Sequence, residues 1–155
     1  MKALVFCILV SLVLLSRGGA ESAGKSLALC DLGDLSGWQG LVADPAVSYH
    51  GTPAPKWDHG KFPAAQTGGI PHDWSGFNCL EFALHSKKAT GNDFMLILFS
   101  ETPETEGSDY FGLRIKLDWT GWKEFAVLFT EMVRARQPVG WHEIDSIVFL
   151  SLIHI

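Results

Sequence analysis

Residues 78–86 read NCLEFALHS, a run in which large apolar residues alternate with polar or small ones. The apolar positions are Leu80, Phe82 and Leu84. A period of two places these side chains on one face of an extended strand, with Glu81 and His85 on the other. The run therefore predicts a half-buried β-strand whose apolar face covers a core.

The next two apolar segments are also extended. Residues 93–100 read DFMLILFS, with apolar side chains on both faces, and this predicts a strand in the centre of a sheet. Residues 110–119 read YFGLRIKLDW and alternate again. The period places Tyr110, Arg114 and Lys116 together on the polar face of that strand.

The remaining strand signals are shorter. Thr120 and Gly121 are turn residues, so residues 122–129 are expected to pair with residues 110–119 as a β-hairpin. Further strands are expected at residues 27–32, 46–50, 54–58 and 144–149, with one helical turn near residues 130–134. Many strands without intervening helices predict an all-β fold, an antiparallel β-sandwich or jelly roll.

Both ends of the chain are expected to lie outside the sandwich. Residues 1–20 contain Lys2, an apolar run of about thirteen residues and small residues up to Ala20, the order of a secretory signal helix. That run is shorter than the roughly 20 residues of a membrane span. Residues 150–155, LSLIHI, resemble the translation of a sequencing-adapter end. The sandwich is therefore expected over residues 21–149, truncated before its last strand or strands.

The charge of the chain disfavours two classes of partner. The net charge is -5, and cleavage of the signal removes Lys2 and Arg17 but no acid. Nucleic acid and anionic membranes bind through clustered Lys and Arg, so neither is expected as a partner.

The signal predicts a secreted or periplasmic protein, in which Cys30 and Cys79 either form a disulfide or remain buried thiols.

No motif in the sequence indicates a catalytic or metal centre. The sequence lacks a nucleophile elbow, a zinc-protease helix, a phosphate-binding loop and a cysteine cluster at zinc spacing. We therefore assign no catalytic residue, cofactor or metal ligand. Asp31 and Asp34 could supply half of a structural calcium site, or serve as acids of a turn. A complete calcium site is not visible.

Several segments resemble a known family. Residues 72–77 (HDWSGF), 117–125 (LDWTGWKEF) and 144–149 (IDSIVF) are similar to strand and turn motifs of galactose-binding-like jelly-roll carbohydrate-binding modules. More narrowly, residues 100–110 and 135–141 resemble modules that precede the lyase domain in bacterial heparinase II/III-type polysaccharide lyases. The resemblance implies a polysaccharide as partner, no catalysis by this chain and a catalytic domain beyond its C-terminus.

Two other interpretations stay open. The complex I intermediate-associated proteins share the motifs at residues 72–77 and 144–149, and they would make the chain an assembly factor that keeps its N-terminus. The other interpretation is a sandwich that has no ligand of its own and packs between domains. A neighbouring domain would then cover the same polar faces.

A glycan site in such a fold combines an aromatic platform for the C–H faces of sugars with fixed polar groups. The candidates for ligand binding are Tyr110, Arg114, Lys116, His85, Glu81 and Trp57. The first five form one polar floor if the faces of their two strands coincide, and solvated sheet faces are the alternative. Arg114 and Lys116 suit a uronate or sulfated sugar, because a guanidinium pairs with a carboxylate through two hydrogen bonds. The tryptophans are expected mainly to pack, and Trp57 is the first choice as a platform.

Overall fold

The computed structural model describes residues 11–13, 25–29 and 34–152. These residues form twelve strands and one 3₁₀ turn at Phe129–Glu131. The strands are β1 (Ser11–Val13), β2 (Ser26–Ala28), β3 (Trp38–Gln39), β4 (Leu41–Tyr49), β5 (Thr52–Trp57), β6 (Ala64–Thr67), β7 (Cys79–Ser86), β8 (Asp93–Phe99), β9 (Tyr110–Lys116), β10 (Gly121–Leu128), β11 (Val133–Ala135) and β12 (Ser146–Ser151).

All strand pairs are antiparallel and fall into two main sheets and a hairpin. The four-stranded sheet has the order β10-β7-β1-β2, and the six-stranded sheet has the order β11-β9-β8-β12-β6-β3. Strands β4 and β5 pair only with each other among the described residues. The chain is thus an all-β antiparallel sandwich, as the alternating pattern predicted.

The core lies between the two sheets and is built from the apolar faces of their strands. Phe82 of β7 contacts Phe149 of β12, with ring centroids 6.0 Å apart, and this pair joins one sheet to the other. Phe94 and Phe149 extend the contact along the six-stranded sheet. Burial of these rings removes apolar surface from water, which is the main force that holds two sheets face to face.

The strong strand predictions are confirmed. Strand β7 buries Leu80, Phe82 and Leu84, as the period of two requires. Strand β8 lies between β9 and β12, the central position in a sheet that its apolar run predicted. The helical turn near residues 130–134 occurs slightly earlier, at Phe129–Glu131.

The predicted hairpin between residues 110–119 and 122–129 is wrong. Strand β9 pairs with β8 and β11, whereas β10 pairs with β7 in the other sheet, from Gly121 opposite Ser86 to Leu128 opposite Cys79. The chain crosses between the sheets at residues 117–120, where Leu117 is buried and Trp119 packs against the core. A turn signal marks the reversal of the chain, but not the sheet that the chain enters next.

Most of the residues assigned to a signal lie outside the described residues, as do Cys30, Asp31 and residues 153–155. Three residues of the signal, Ser11–Val13, are described as β1 between β7 and β2. Leu150 and Ser151, from the segment that resembles an adapter end, complete β12. No helix in the described part of the chain has the length and hydropathy to span a bilayer.

Candidate functional site

The two groups of polar residues expected to form one floor lie on different sheets. Tyr110, Arg114 and Lys116 project from β9 of the six-stranded sheet, whereas Glu81 and His85 belong to β7 of the four-stranded sheet. The outward faces of a sandwich point in opposite directions, so the condition for a single floor, that the faces of the two strands coincide, is not met. The structure offers two separate surfaces.

Trp57 does not form a sugar platform on either surface. Its side chain has 0% exposure and belongs to the core cluster. Its indole N–H donates a hydrogen bond to the carbonyl oxygen of Phe62 at 2.8 Å. Because an indole is large and has one polar atom, burial with that atom satisfied is its common structural role.

The first surface, here called the β9 face, comprises Tyr110, Gly112, Arg114 and Lys116 with the neighbouring Phe99 of β8. A Cβ atom added to Gly112 would lie 3.2 Å from Cε2 of Tyr110. The ring of Tyr110 therefore extends over the space that Gly112 leaves open. Phe99 lies opposite Tyr110 in the register and contacts its ring edge to face at 5.9 Å. This geometry holds a half-buried aromatic ring at the surface of the sheet.

Cationic groups continue the β9 face beyond this ring. Arg114 is exposed and its guanidinium lies 3.7 Å from the carboxylate of Asp93. Lys116 is exposed and lies opposite Asp93 in the register. An exposed ion pair of this kind contributes little stability, because water screens both charges. Arg114 can therefore exchange its partner for the carboxylate of a ligand at low cost.

Two loops beside the β9 face are joined by hydrogen bonds. Asp109 is fully buried, accepts from the backbone N–H of Gln137 at 2.9 Å and also accepts from the hydroxyl of Thr105. The hydrogen bond from Thr105, followed by that from Gln137, lowers the pKa of Asp109 below its usual value. Ser100 bonds to Gly140 in the same region, with its hydroxyl 3.0 Å from the Gly140 nitrogen. Residues 100–110 and 135–141 thus form one structural unit.

The second surface is a groove on the outward face of the four-stranded sheet. Its volume is about 330 Å³. We call it the β7–β10 groove, and it is lined by Tyr49, Glu81, Phe82, Ala83, Glu124, Phe125 and Ala126. The register places Ala126 opposite Glu81 and Glu124 opposite Ala83, so their side chains share one face. Carboxylates from both strands therefore border the same depression.

The β4–β5 hairpin places Tyr49 over this groove. Its turn residues His50 and Gly51 have φ values of 47° and 84°, the left-handed conformations of a tight two-residue hairpin turn. Tyr49 donates a hydrogen bond from its hydroxyl to Oε1 of Glu124 at 2.7 Å. A register shift between Asp44 and Ser48 interrupts the hairpin ladder, as a β-bulge does, and bulges bend strands.

Trp122 and His85 extend the aromatic surface beside the groove. The ring of Trp122 lies 4.8 Å from that of Tyr49 and 5.1 Å from that of His85. Burial, with a contribution from Lys87, lowers the pKa of His85, so its imidazole is neutral near pH 7. Nδ1 of His85 is buried and makes no hydrogen bond to any described residue.

Sequence reasoning selected Glu81 and His85 but missed Tyr49, Trp122 and Glu124. Trp122 and Glu124 alternate with the inward Phe125, so the period of β10 contained a signal for their outward position. Tyr49 carried no such signal, because its place depends on the fold of a hairpin over another sheet.

The described residues contain no group of three or more His, Cys, Asp or Glu that could hold a metal ion. Asp34, one of the two acids considered for calcium, accepts a hydrogen bond from the backbone N–H of Ser36 at 2.9 Å. Hydrogen bonds from Ser36 lower the pKa of Asp34. This is the geometry of an acid that stabilises a turn.

A β-sandwich whose outward faces carry aromatic rings beside polar groups has the two kinds of group with which carbohydrate-binding modules hold sugars. The sequence model of the carbohydrate-binding domain of family 11 matches residues 10–146. The chain belongs to this family, and it is a carbohydrate-binding domain. No curated protein and no solved structure is significantly similar to the chain.

Proposed function

We propose that the chain is an exported, non-catalytic module that holds a uronic-acid polysaccharide on the β9 face. The observation that carries this proposal is the ring of Tyr110, held over Gly112 on the same face as Arg114 and Lys116. An aromatic ring binds the C–H face of a sugar, and a guanidinium binds a carboxylate through two parallel hydrogen bonds. Family membership supports the carbohydrate, and the two cations favour an acidic one.

The spacing of these groups favours a polymer over a single sugar. Side chains on one face of a strand repeat at roughly 7 Å, so Arg114 and Lys116 lie about 13 Å and 20 Å along β9 from Tyr110. One sugar ring cannot contact all three groups. A chain of several sugar units that runs along β9 can place its rings and carboxylates on them in turn.

Binding of this kind serves catalysis by tethering. A module linked to a catalytic domain raises the local concentration of substrate without any chemistry of its own. The resemblance of residues 100–110 and 135–141 to lyase-associated modules supports a polysaccharide lyase as that partner. The joined loops held by Asp109 and Ser100 are the part of the surface in which this resemblance lies.

Affinity electrophoresis of the full chain through gels that contain polygalacturonate, heparin or a neutral β-glucan tests the ligand. We expect retention on an acidic polymer, and Arg114→Ala should weaken it by about tenfold or more, since a charged hydrogen bond contributes roughly 1.5–3 kcal/mol. Tyr110→Ala should weaken it similarly. Lys123→Ala is the matched control, because it removes one cation from the other sheet. Absence of retention on every acidic polymer, or equal losses in the control, contradicts the proposal.

Export is tested separately from binding. Cleavage after Ala20 would remove Ser11–Val13 and with it β1 of the four-stranded sheet. We expect the mass of the protein recovered from the periplasm or culture medium to correspond to a chain that begins at Glu21. Recovery of the chain from the cytoplasm with Met1 retained would contradict export and would favour the assembly-factor interpretation.

A further inference from the structure

We propose that the β4–β5 hairpin is a pH-dependent strap: Tyr49 at its tip holds Glu124 while His85 is neutral, and releases Glu124 when His85 gains a proton. The tip contacts β10 of the four-stranded sheet, whereas the β9 face belongs to the six-stranded sheet. The inference is therefore independent of the function proposed for the β9 face.

The hairpin is attached to the sandwich at its base and at its tip. At the base, Trp57 is fully buried in the core. At the tip, the hydroxyl of Tyr49 donates a hydrogen bond to Oε1 of Glu124 at 2.7 Å. Between these two points, residues 45–47 of β4 have no partner on β5 in the register. Such an interruption bends a strand and gives the tip a place about which to move.

A row of four aromatic rings connects the tip to β7. The ring of His50 lies 4.2 Å from that of Tyr49, which lies 4.8 Å from that of Trp122. The ring of Trp122 in turn lies 5.1 Å from that of His85, its partner in the register. A change at His85 is therefore separated from the tip by one ring only.

The closed strap favours the neutral form of His85. Its Nδ1 is buried and makes no hydrogen bond to any described residue. An imidazolium donates from both ring nitrogens, so the charged form would leave a buried donor without an acceptor. Burial, followed by the charge of Lys87, lowers the pKa of His85. The other titratable groups on this face are Glu81 of β7, Glu124 of β10, and Tyr49 and His50 of the hairpin.

Glu124 is the acceptor for which protonated His85 competes. The register places Trp122 opposite His85 and Glu124 opposite Ala83, so His85 and Glu124 are diagonal neighbours on one face. Diagonal neighbours lie roughly 7–8 Å apart, a distance that long side chains span. A hydrogen bond from an imidazolium to a carboxylate is charged at both ends, and it is stronger than one from the neutral hydroxyl of Tyr49. Protonation of His85 therefore draws Glu124 away from the tip.

Acid should open the strap. In the closed strap the pKa of His85 is lowered, whereas in the open strap it returns to about 6.5 or above. The open form thus binds the proton more tightly, and its population rises as pH falls through about 6.5. The ratio of closed to open strap falls by up to about tenfold for each unit by which the two pKa values differ. Because Tyr49 lines the β7–β10 groove, its release removes one wall of that groove.

Hydrogen–deuterium exchange of the full chain at about pH 7.5 and about pH 5.5 tests the strap, with each rate divided by that of an unstructured peptide at the same pH. We expect residues 47–53 to lose protection by about threefold or more at the lower pH, while β8 and β12 keep theirs. His85→Gln should abolish this loss, because glutamine carries no charge at either pH. His50→Asn replaces the other histidine of the ring row with a residue that tolerates its φ of 47°, and it should retain the loss. Equal protection at both pH values in the unchanged chain, or an undiminished loss in His85→Gln, would overturn the proposal.

Tyr49→Phe tests the same coupling from the hairpin side. It keeps the ring but removes the hydroxyl that holds Glu124, so His85 can pair with the released carboxylate and its pKa should rise. NMR titration of the Hε1 signal of His85, assigned by its loss in His85→Gln, measures this change. Tyr110→Phe is the matched control, because it removes a tyrosine hydroxyl from the other sheet and should leave the pKa of His85 unchanged. A pKa of His85 that is the same in Tyr49→Phe as in the unchanged chain would show that the two side chains do not compete for Glu124.

Discussion

The indole ring of Trp141 stacks on the phenyl ring of Phe129, with centroids 4.0 Å apart and planes inclined by 14°. On its other side the same indole stacks on Phe111 of β9, again at 4.0 Å. Phe129 follows β10 of the four-stranded sheet, so Trp141 bridges elements from both sheets.

Trp141→Ala should remove this bridge. Truncation of a packed Trp costs roughly 3–5 kcal/mol in a full core, and for the half-buried Trp141 we expect a loss of about 2–3 kcal/mol in the free energy of unfolding. Urea unfolding monitored by circular dichroism measures it. Trp122→Ala is the matched control and should cost under about 1 kcal/mol, because Trp122 packs outside the core. Equal losses in the two variants would show that Trp141 does not join the sheets.

Gly40 provides a test of the connection between β3 and β4. Its φ is +80°, and a Cβ added there would lie 2.1 Å from the carbonyl oxygen of Ala64. Gly40→Ala therefore forces either the backbone angle or strand β6 to shift, and we expect a loss of at least about 2 kcal/mol in the free energy of unfolding.

Gly51 is the control for that substitution. Its φ is +84°, but no atom lies within 4 Å of an added Cβ. Gly51→Ala thus carries the backbone cost alone, roughly 1 kcal/mol. Thermal unfolding of both variants compares the backbone cost alone, in Gly51→Ala, with the backbone cost plus the clash with Ala64, in Gly40→Ala. If Gly51→Ala is as destabilising as Gly40→Ala, the close approach of Gly40 to Ala64 is not the cause.

Alternation in the sequence predicted the strands with full amphipathic patterns but not their partners. The faces of β7 and β9 follow from the period, because a slip of one residue would turn Phe82 or Phe111 to solvent. The period does not indicate which strand pairs with residues 121–128, because these residues would bury the same side chains beside β9 or beside β7. Strands β3, β6 and β11 were missed because two to four residues are too few to show a period.

The site was predicted only in part for the same reason. Tyr110 and Arg114 share a face because they lie on one strand, and this needs no knowledge of the fold. Whether Glu81 joins them depends on the sheet to which β7 belongs. The expected platform, Trp57, is in the core because the β4–β5 hairpin ends on it, and Tyr49 at the turn of that hairpin reaches the groove instead.

The thiol of Cys79 should react slowly in the folded protein. Its side chain is fully buried, and burial, with contributions from Glu81 and Glu131, raises the pKa of the thiol. Reaction with Ellman's reagent then requires opening of the sheet, and we expect protection on the order of a hundredfold, which corresponds to an opening free energy of about 3 kcal/mol.

Comparison with Cys79→Ser assigns the signal to this residue. The structure describes Cys79 as a free thiol. We therefore expect Cys79 to react with Ellman's reagent in denaturant without added reductant. If Cys79 reacts in denaturant only after reduction, its sulfur is bridged to another cysteine. If it reacts at full rate in the native state, it is not buried.

Asp109 should make stability depend on pH. Hydrogen bonds from Thr105 and Gln137 lower the pKa of Asp109 in the folded chain relative to the unfolded chain. A depressed pKa stabilises the fold above the unfolded pKa, about 3.9, and this contribution is lost as pH falls through the lower folded value. The variant Asp109→Asn keeps the shape but replaces one accepting oxygen with a donor, so the hydroxyl of Thr105 and the N–H of Gln137 cannot both be satisfied as before.

Thermal unfolding from pH 7 to pH 3 measures this contribution. We expect Asp109→Asn to lower Tm at pH 7 and the difference from the unchanged chain to shrink as pH falls below about 4, where the carboxyl of the unfolded chain gains its proton while the folded carboxylate, with its lower pKa, is still charged. Glu104→Gln is the control, because it removes one acid from the same loop, whereas the hydrogen bonds of Asp109 are made with Glu101, Thr102, Thr105 and Gln137. A Tm difference for Asp109→Asn that stays constant across this range would mean that the carboxylate charge does not hold the two loops together. In that case residues 100–110 and 135–141 would be joined by Ser100 and Gly140 instead, and Ser100→Ala should then produce the larger loss of Tm at every pH.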